Sequence, residues 1–144
     1  VSQAGQHFGY PFFHGQSIPD PEFSAGHNPT DYMEPALDLD PHVAPLGMMF
    51  YTGTMLPPAY HKQVLIPEHG SWNRTPEAGH TGYRITVARM DDQGVMHYEV
   101  LVDGWLQDNV AWGRPADLLQ MADGSILIAD DKANVIYRLS YSQP

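Results

Sequence analysis

Cysteine is absent from the 144 residues. That excludes disulfides, thiolate zinc sites and a cysteine nucleophile, and leaves the compartment open. Basic residues are scarce: seven Lys and Arg face seventeen Asp and Glu, for a formal charge of −10. A nucleic-acid-binding face carries the opposite imbalance, and anionic membranes repel such a chain, so neither partner is expected. No apolar run approaches the roughly 20 residues that a membrane helix needs, so the chain is not membrane-spanning. Its first residues, Val1 to Gly5, hold no basic patch followed by an apolar stretch, so a signal peptide is read as absent or removed.

Turns are plentiful. Thirteen glycines and thirteen prolines, with 42% apolar residues, describe a globular all-β composition with few long helices. Residues 1–41 are dense in Pro, Gly and aromatic side chains, as in Phe8-Gly9-Tyr10-Pro11-Phe12-Phe13-His14-Gly15. Nothing there alternates for long, and proline removes ladder donors, so an irregular segment held by aromatic packing is expected.

From residue 42 the pattern changes. Strands are expected over 43–51, 63–68, 83–89 and 95–102, the last after the turn Asp91-Asp92-Gln93-Gly94. A second unit follows, with strands at 115–121, 125–129 and 135–141 and a tight Asp123-Gly124 turn. Pro45-Leu46-Gly47 and Pro115-Ala116-Asp117 lie about 70 residues apart, and Val64-Leu65-Ile66 matches Ile126-Leu127-Ile128. Repeated meanders build propellers, whose blades are stable only against neighbours. The expected architecture is a partial β-propeller of about two antiparallel blades, the last one short of a strand. Domain boundaries fall at 1–41, 42–105 and 106–144. A sandwich or small barrel is the alternative that pattern leaves open.

In an antiparallel meander the start of the first strand and the end of the second share one edge. His42 and the loop His69-Gly70-Ser71-Trp72-Asn73-Arg74 are thereby brought beside Trp112-Gly113-Arg114 and Asp130-Asp131-Lys132. Arginine forks suit carboxylates, indoles offer flat surface, and imidazoles exchange protons near neutral pH. The set points to a planar anion. Each member also has a purely structural reading: Trp112 as core, Arg114 paired with Asp117, Asp130-Asp131 as a solvated turn. The histidines show no metal-ligand spacing, so no metal ligand is assigned.

Several strings resemble the pyrroloquinoline-quinone-dependent soluble glucose/sorbosone dehydrogenases. Phe8-Gly9-Tyr10-Pro11 is similar to their Tyr-Gly-Trp-Pro segment, and Ala44-Pro45-Leu46-Gly47 with Phe50-Tyr51-Thr52-Gly53 to the approach to their penultimate blade. His69 to Arg74 resembles a hallmark of the sorbosone branch, and Gly113-Arg114-Pro115, Asp123-Gly124-Ser125 and Ile136-Tyr137-Arg138 look like the closing blade. The resemblance implies the C-terminal part of a six-bladed periplasmic or secreted enzyme that binds the quinone and Ca²⁺ and oxidises sugars. It implies that Arg114 contacts the cofactor's carboxylates, with His69, Arg74, Trp72, Asn73 and His42 around the same site. Ala116 stands where the glucose branch has a second arginine, and no lysine matches the cofactor-binding one, a role left to Arg74. The family's histidine base and calcium-ligating carbonyls lie upstream of the matched segment, so no catalytic residue is assigned. The fragment is expected to be inactive without the remaining blades or a partner chain covering its sheet edges. The alternative is a non-catalytic propeller-derived subunit.

Overall fold

The computed structural model describes residues 3–75, 77–94 and 96–142. The chain divides after Asp38 into two compact units. In the first, β1 (Phe13–His14) and β2 (Ile18–Pro19) form a two-residue hairpin, and a 3₁₀ turn at Pro29–Asp31 is capped by the Asn28 side chain. Rings hold the rest together: Phe12 stacks on His27 with centroids 3.5 Å apart, and Tyr32 packs edge-on against His7 at 4.9 Å. His27 Nδ1 lies 2.6 Å from the Tyr32 hydroxyl. The loop-rich segment is thus aromatic-packed, as its composition demands.

The second unit is built from antiparallel sheets. β3 (Met49–Phe50), β4 (Val64–Glu68), β5 (Arg84–Met90) and β6 (Met96–Val102) make a four-stranded meander in sequence order. A short hairpin follows, β7 (Leu106–Gln107) with β8 (Val110–Ala111). β9 (Pro115–Gln120), β10 (Ile126–Asp130) and β11 (Val135–Leu139) form the three-stranded sheet, with β10 central. The fold is all-β and propeller-like, and the sheets of the described residues form no closed barrel. Among the described residues no helix is long and apolar enough to cross a membrane.

Most strands match the expected ranges to within a residue or two; Val95 lies outside the described residues. The first strand is the exception. It shrinks from 43–51 to Met49–Phe50 plus one bridge between Pro45 and Glu68. His42 and Ala44 have φ of 63° and 51°, a left-handed conformation that no extended strand tolerates. Pro67, which lacks a donor, sits in the resulting gap of the β3–β4 ladder, between Leu65 and Glu68. The β7–β8 hairpin was not expected; two residues per strand carry too little alternation to be read.

β4 is buried along almost its whole length because β5 and the second sheet cover it, so it reads as an apolar run and not as an alternation. Tyr51, Leu65, Ile85 and Val87 pack with Leu118, Ile126 and Ile128 in one core shared by both sheets. Two polar clamps fix their register. The Tyr51 hydroxyl donates to the Gly124 carbonyl at 2.9 Å, and Gln120 Oε1 accepts from the Thr52 and Gly53 amides at 2.8 and 2.9 Å.

Candidate functional site

Both sheets end their second strand at the same edge of the unit. β4 runs out at Glu68 into His69-Gly70-Ser71, and β10 runs out at Asp130 into Asp131. Tyr83 immediately precedes β5 there, and Arg114 immediately precedes β9. Arg114 joins the two. Its Nη2 donates to the Ser71 carbonyl at 2.8 Å and to the Tyr83 hydroxyl at 3.0 Å, and its Nη1 lies 3.3 Å from His69 Nδ1. The guanidinium also lies 5.1 Å from the Tyr83 ring centroid, a cation–π contact.

The first-sheet side of this cradle is set by backbone crowding. Gly70 has φ +95°, and a Cβ there would meet the Tyr83 ring at 2.5 Å, so only glycine lets the ring lie flat on the loop. Tyr83 itself has φ 61° and donates its hydroxyl proton to the Ser71 carbonyl in a short hydrogen bond. Tyr83 is therefore buried and fixed in place, a suitable floor for the guanidinium.

His69 Nε2 lies 2.8 Å from Asp131 Oδ1. Arg114 has only protons to offer Nδ1, so Nδ1 accepts and Nε2–H donates to the carboxylate. The imidazole thus links Arg114 to Asp131, and both its nitrogens are engaged. Asp130 is 3% exposed. It accepts from the amides of Arg114 at 2.9 Å, Lys132 at 3.0 Å and Ala133 at 2.8 Å, and from the Tyr137 hydroxyl at 3.1 Å. Burial opposes its ionisation, but these donors outweigh burial and hold the carboxyl below the usual aspartate range.

The expected site residues divide into two groups. Arg114 and His69 meet. The two residues after His42 stand beside them, since the Val43 and Ala44 carbonyls accept from the Gly70 and His69 amides at 2.8 and 3.0 Å, while His42 itself is exposed. Arg74 folds onto its own loop, donating to the Gly79 carbonyl at 2.6 Å and the Ala78 carbonyl at 2.8 Å. Asn73 is exposed and Trp72 is 79% exposed, so neither is ordered by packing. The suspected Arg114–Asp117 bridge is absent among the described residues; Asp117 Oδ1 instead accepts from the Leu118 amide at 2.9 Å. Asp130 is no solvated turn residue. Asp131 lies in the turn that the sequence places at this edge; Tyr83 and the Ser71 carbonyl went unrecognised, because Tyr83 reads as an ordinary strand residue and a carbonyl has no sequence signal.

A family model described as TrAA12-like matches residues 2–140. The chain belongs to this family. The match does not single out the soluble glucose/sorbosone branch read from the sequence. An uncharacterized protein of Borreliella burgdorferi is 35% identical over 147 residues, covering 99% of this chain and 38% of that protein. The calcium and iodide structures of Trichoderma reesei Carbohydrate-Active Enzymes Family AA12 superpose with a TM-score of 0.69 at 21% identity, over 98% of this chain and 36% of theirs. The holo pyranose dehydrogenase PQQ domain of Coprinopsis cinerea superposes with a TM-score of 0.54 at 22% identity, over 78% of this chain and 30% of that one. At such identities the structures establish the fold. The chain spans less than two fifths of the length of each relative.

Proposed function

We propose that this chain supplies two adjacent blades of a quinoprotein sugar oxidoreductase of the aldose or sorbosone-oxidising kind, and that Arg114 holds a carboxylate of pyrroloquinoline quinone. One observation carries the reading: a half-buried guanidinium stands where two meanders share an edge, anchored through Nη2. Its Nε–H donates to nothing among the described residues, which leaves a donor for an anion. That donor set fits one carboxylate-bearing edge of a flat, acidic cofactor. The bound quinone would supply a hydride acceptor for a sugar carbon. His69, hydrogen-bonded between Arg114 and Asp131, keeps the Arg114 fork in place. Trp72 is free to lie over a ring. Among the described residues no three carboxylates or imidazoles converge; a Ca²⁺ ion serving the quinone would take its ligands from the blades outside this chain. The catalytic base and the remaining blades would come from outside these residues, in the periplasm or a secreted form.

Calorimetric titration with pyrroloquinoline quinone, in Ca²⁺ and with any co-purifying protein, tests the reading, with dye reduction by aldoses followed in parallel. Quinone binding is expected, and Arg114→Ala should weaken it at least about tenfold. An unchanged affinity in that variant overturns the assignment.

A second reading, a non-catalytic structural subunit, is favoured by Leu119 and Ile136, which stand exposed on the open face of the three-stranded sheet. Quinone binding without dye reduction, in every assembly tried, would support it.

A further inference from the structure

Two hollows flank Asp103, the residue after β6. One, about 240 Å³, is walled by Trp105, Trp112 and Tyr137; the other, about 420 Å³, by Asp40, His80, Thr81 and Arg84; Asp103 lines both. We propose that together they form a groove for a neutral oligosaccharide, one sugar ring on Trp112 and the next in the polar hollow. The inference rests on the geometry of the second unit and not on the quinone reading.

The aromatic wall is fixed. The Trp112 indole donates to the Gly104 carbonyl at 2.7 Å, and its ring lies 6.5 Å from Trp105 and 6.3 Å from Tyr137, the latter at 89°. Trp105 is 5% exposed, whereas Trp112 is 46% exposed. Trp105 is covered by the other two rings, at 6.5 Å from Trp112 and 5.7 Å from Tyr137, so the indole that stands open to the hollow is Trp112. A box for a quaternary ammonium would need several ring faces around an empty centre. A single indole face is instead a platform for the C–H face of a sugar ring.

The polar wall selects against charge. Arg84 is already committed, its Nε to Glu68 at 2.8 Å and its Nη2 to Asp40 at 2.6 Å. Arg138, which lines the aromatic hollow, is likewise committed, its Nε to Ser125 Oγ at 3.0 Å and its Nη2 to Asp123; both arginines are thus paired, while Asp40 and Asp103 repel an anionic ligand. Asp103 makes no hydrogen bond among the described residues, and its exposed carboxylate can accept from sugar hydroxyls at the junction of the hollows. A ligand that is apolar on one face and rich in hydroxyls at its rim satisfies both walls.

The chain has three tryptophans, so three indole N–H signals report directly on the groove in a ¹H–¹⁵N spectrum. Cellotriose and maltotriose, each titrated to about 20 mM without quinone, are expected to shift the Trp112 and Trp105 signals and leave Trp72 in place. Asp103→Asn should weaken the response about threefold. Trp112→Ala should abolish the Trp105 shift, with the unchanged remaining spectrum showing that the fold survives. No shift with either sugar, movement of Trp72 instead, or an equal response to tetramethylammonium would overturn the proposal. Loss of quinone binding would leave it standing, because no quinone is used.

Discussion

The two sheets bury a carboxylate at the same place, the last residue of the second strand, and satisfy it by opposite means. Glu68 ends β4 with 0% exposure and Asp130 ends β10 with 3%. Glu68 relies on side chains from other strands: Arg84 Nε at 2.8 Å, Thr86 Oγ1 at 2.8 Å, and the Tyr98 hydroxyl through a short hydrogen bond. Asp130 relies chiefly on main-chain amides of its own turn and of the strand beside it. The first device spans β4, β5 and β6 and exists only when all three are registered. The second needs little beyond a tight turn and the start of β9. A cross-strand ion pair makes the four-stranded sheet cooperative and vulnerable, whereas amide capping makes the three-stranded edge local and tolerant.

The same contrast governs ionisation. Burial works against the charge on Arg84, but its hydrogen bonds to Asp40, Tyr98 and Glu68 prevail and raise its pKa further above neutrality. Tyr98 is also raised, first by burial and then by its hydrogen bond to Glu68. In the other sheet the carboxyl of Asp130 shifts downward, while Tyr137 is raised, chiefly by burial.

The sharpest way to break the comparison is Arg84→Met. It strands Glu68 in the core, and a loss of about 3–5 kcal/mol in urea unfolding is expected. Asp130→Ala should cost less, about 1–3 kcal/mol, since the freed amides lie near the surface and water can reach them. If the two losses are equal, the distinction between cross-strand and local satisfaction fails. Gly113→Ala probes the crowding around Asp130: a Cβ would lie 2.2 Å from Asp130 Oδ2 and 2.4 Å from Trp105 Cδ1, and overpacking of this kind costs about 1–3 kcal/mol.

Acid separates the two sheets more finely. A folded-state pKa below the unfolded one contributes stability above the ordinary aspartate value of 3.8, and that contribution disappears as pH falls through the folded value. Unfolding midpoints followed downward from pH 5 should therefore decline less steeply in Asp130→Asn than in the parent chain. The raised Arg84 has the opposite sense: so long as its carboxylate partners stay ionised its contribution is present, and its own deprotonation would remove it only in strong alkali. The smallest effect is expected at Arg74. Among the described residues its guanidinium bonds to carbonyls of its own loop, so Arg74→Ala should cost under about 1 kcal/mol and leave quinone affinity within about twofold. A large loss of affinity would restore it to the cofactor site.

Sequence alone showed the meanders because β4, β5, β9 and β10 follow strand chemistry, with β-branched and aliphatic runs punctuated by Asp-Gly and Pro. It also placed His69 and Arg114 at one edge, since an antiparallel register leaves no other arrangement. It could not see that His42 and Ala44 adopt left-handed backbone, because neither residue type demands it. Nor could it see Tyr83 beneath Arg114: a tyrosine at a strand start has many uses, and only the missing Cβ of Gly70 turns its ring into a floor. The fate of Arg74 was hidden for a similar reason, because its partners are carbonyls of a loop whose path is not written in side chains.

Arg114 is rooted in the second sheet and closes on a carbonyl of the first. Its fork is consequently a gauge of whether the sheets have come together, and an anion seated on it must, by mutual linkage, tighten their union. Acidic ligands would then act as glue, and the midpoint of thermal melting would climb with their concentration. The size of that climb would measure how much of the site is created by assembly itself.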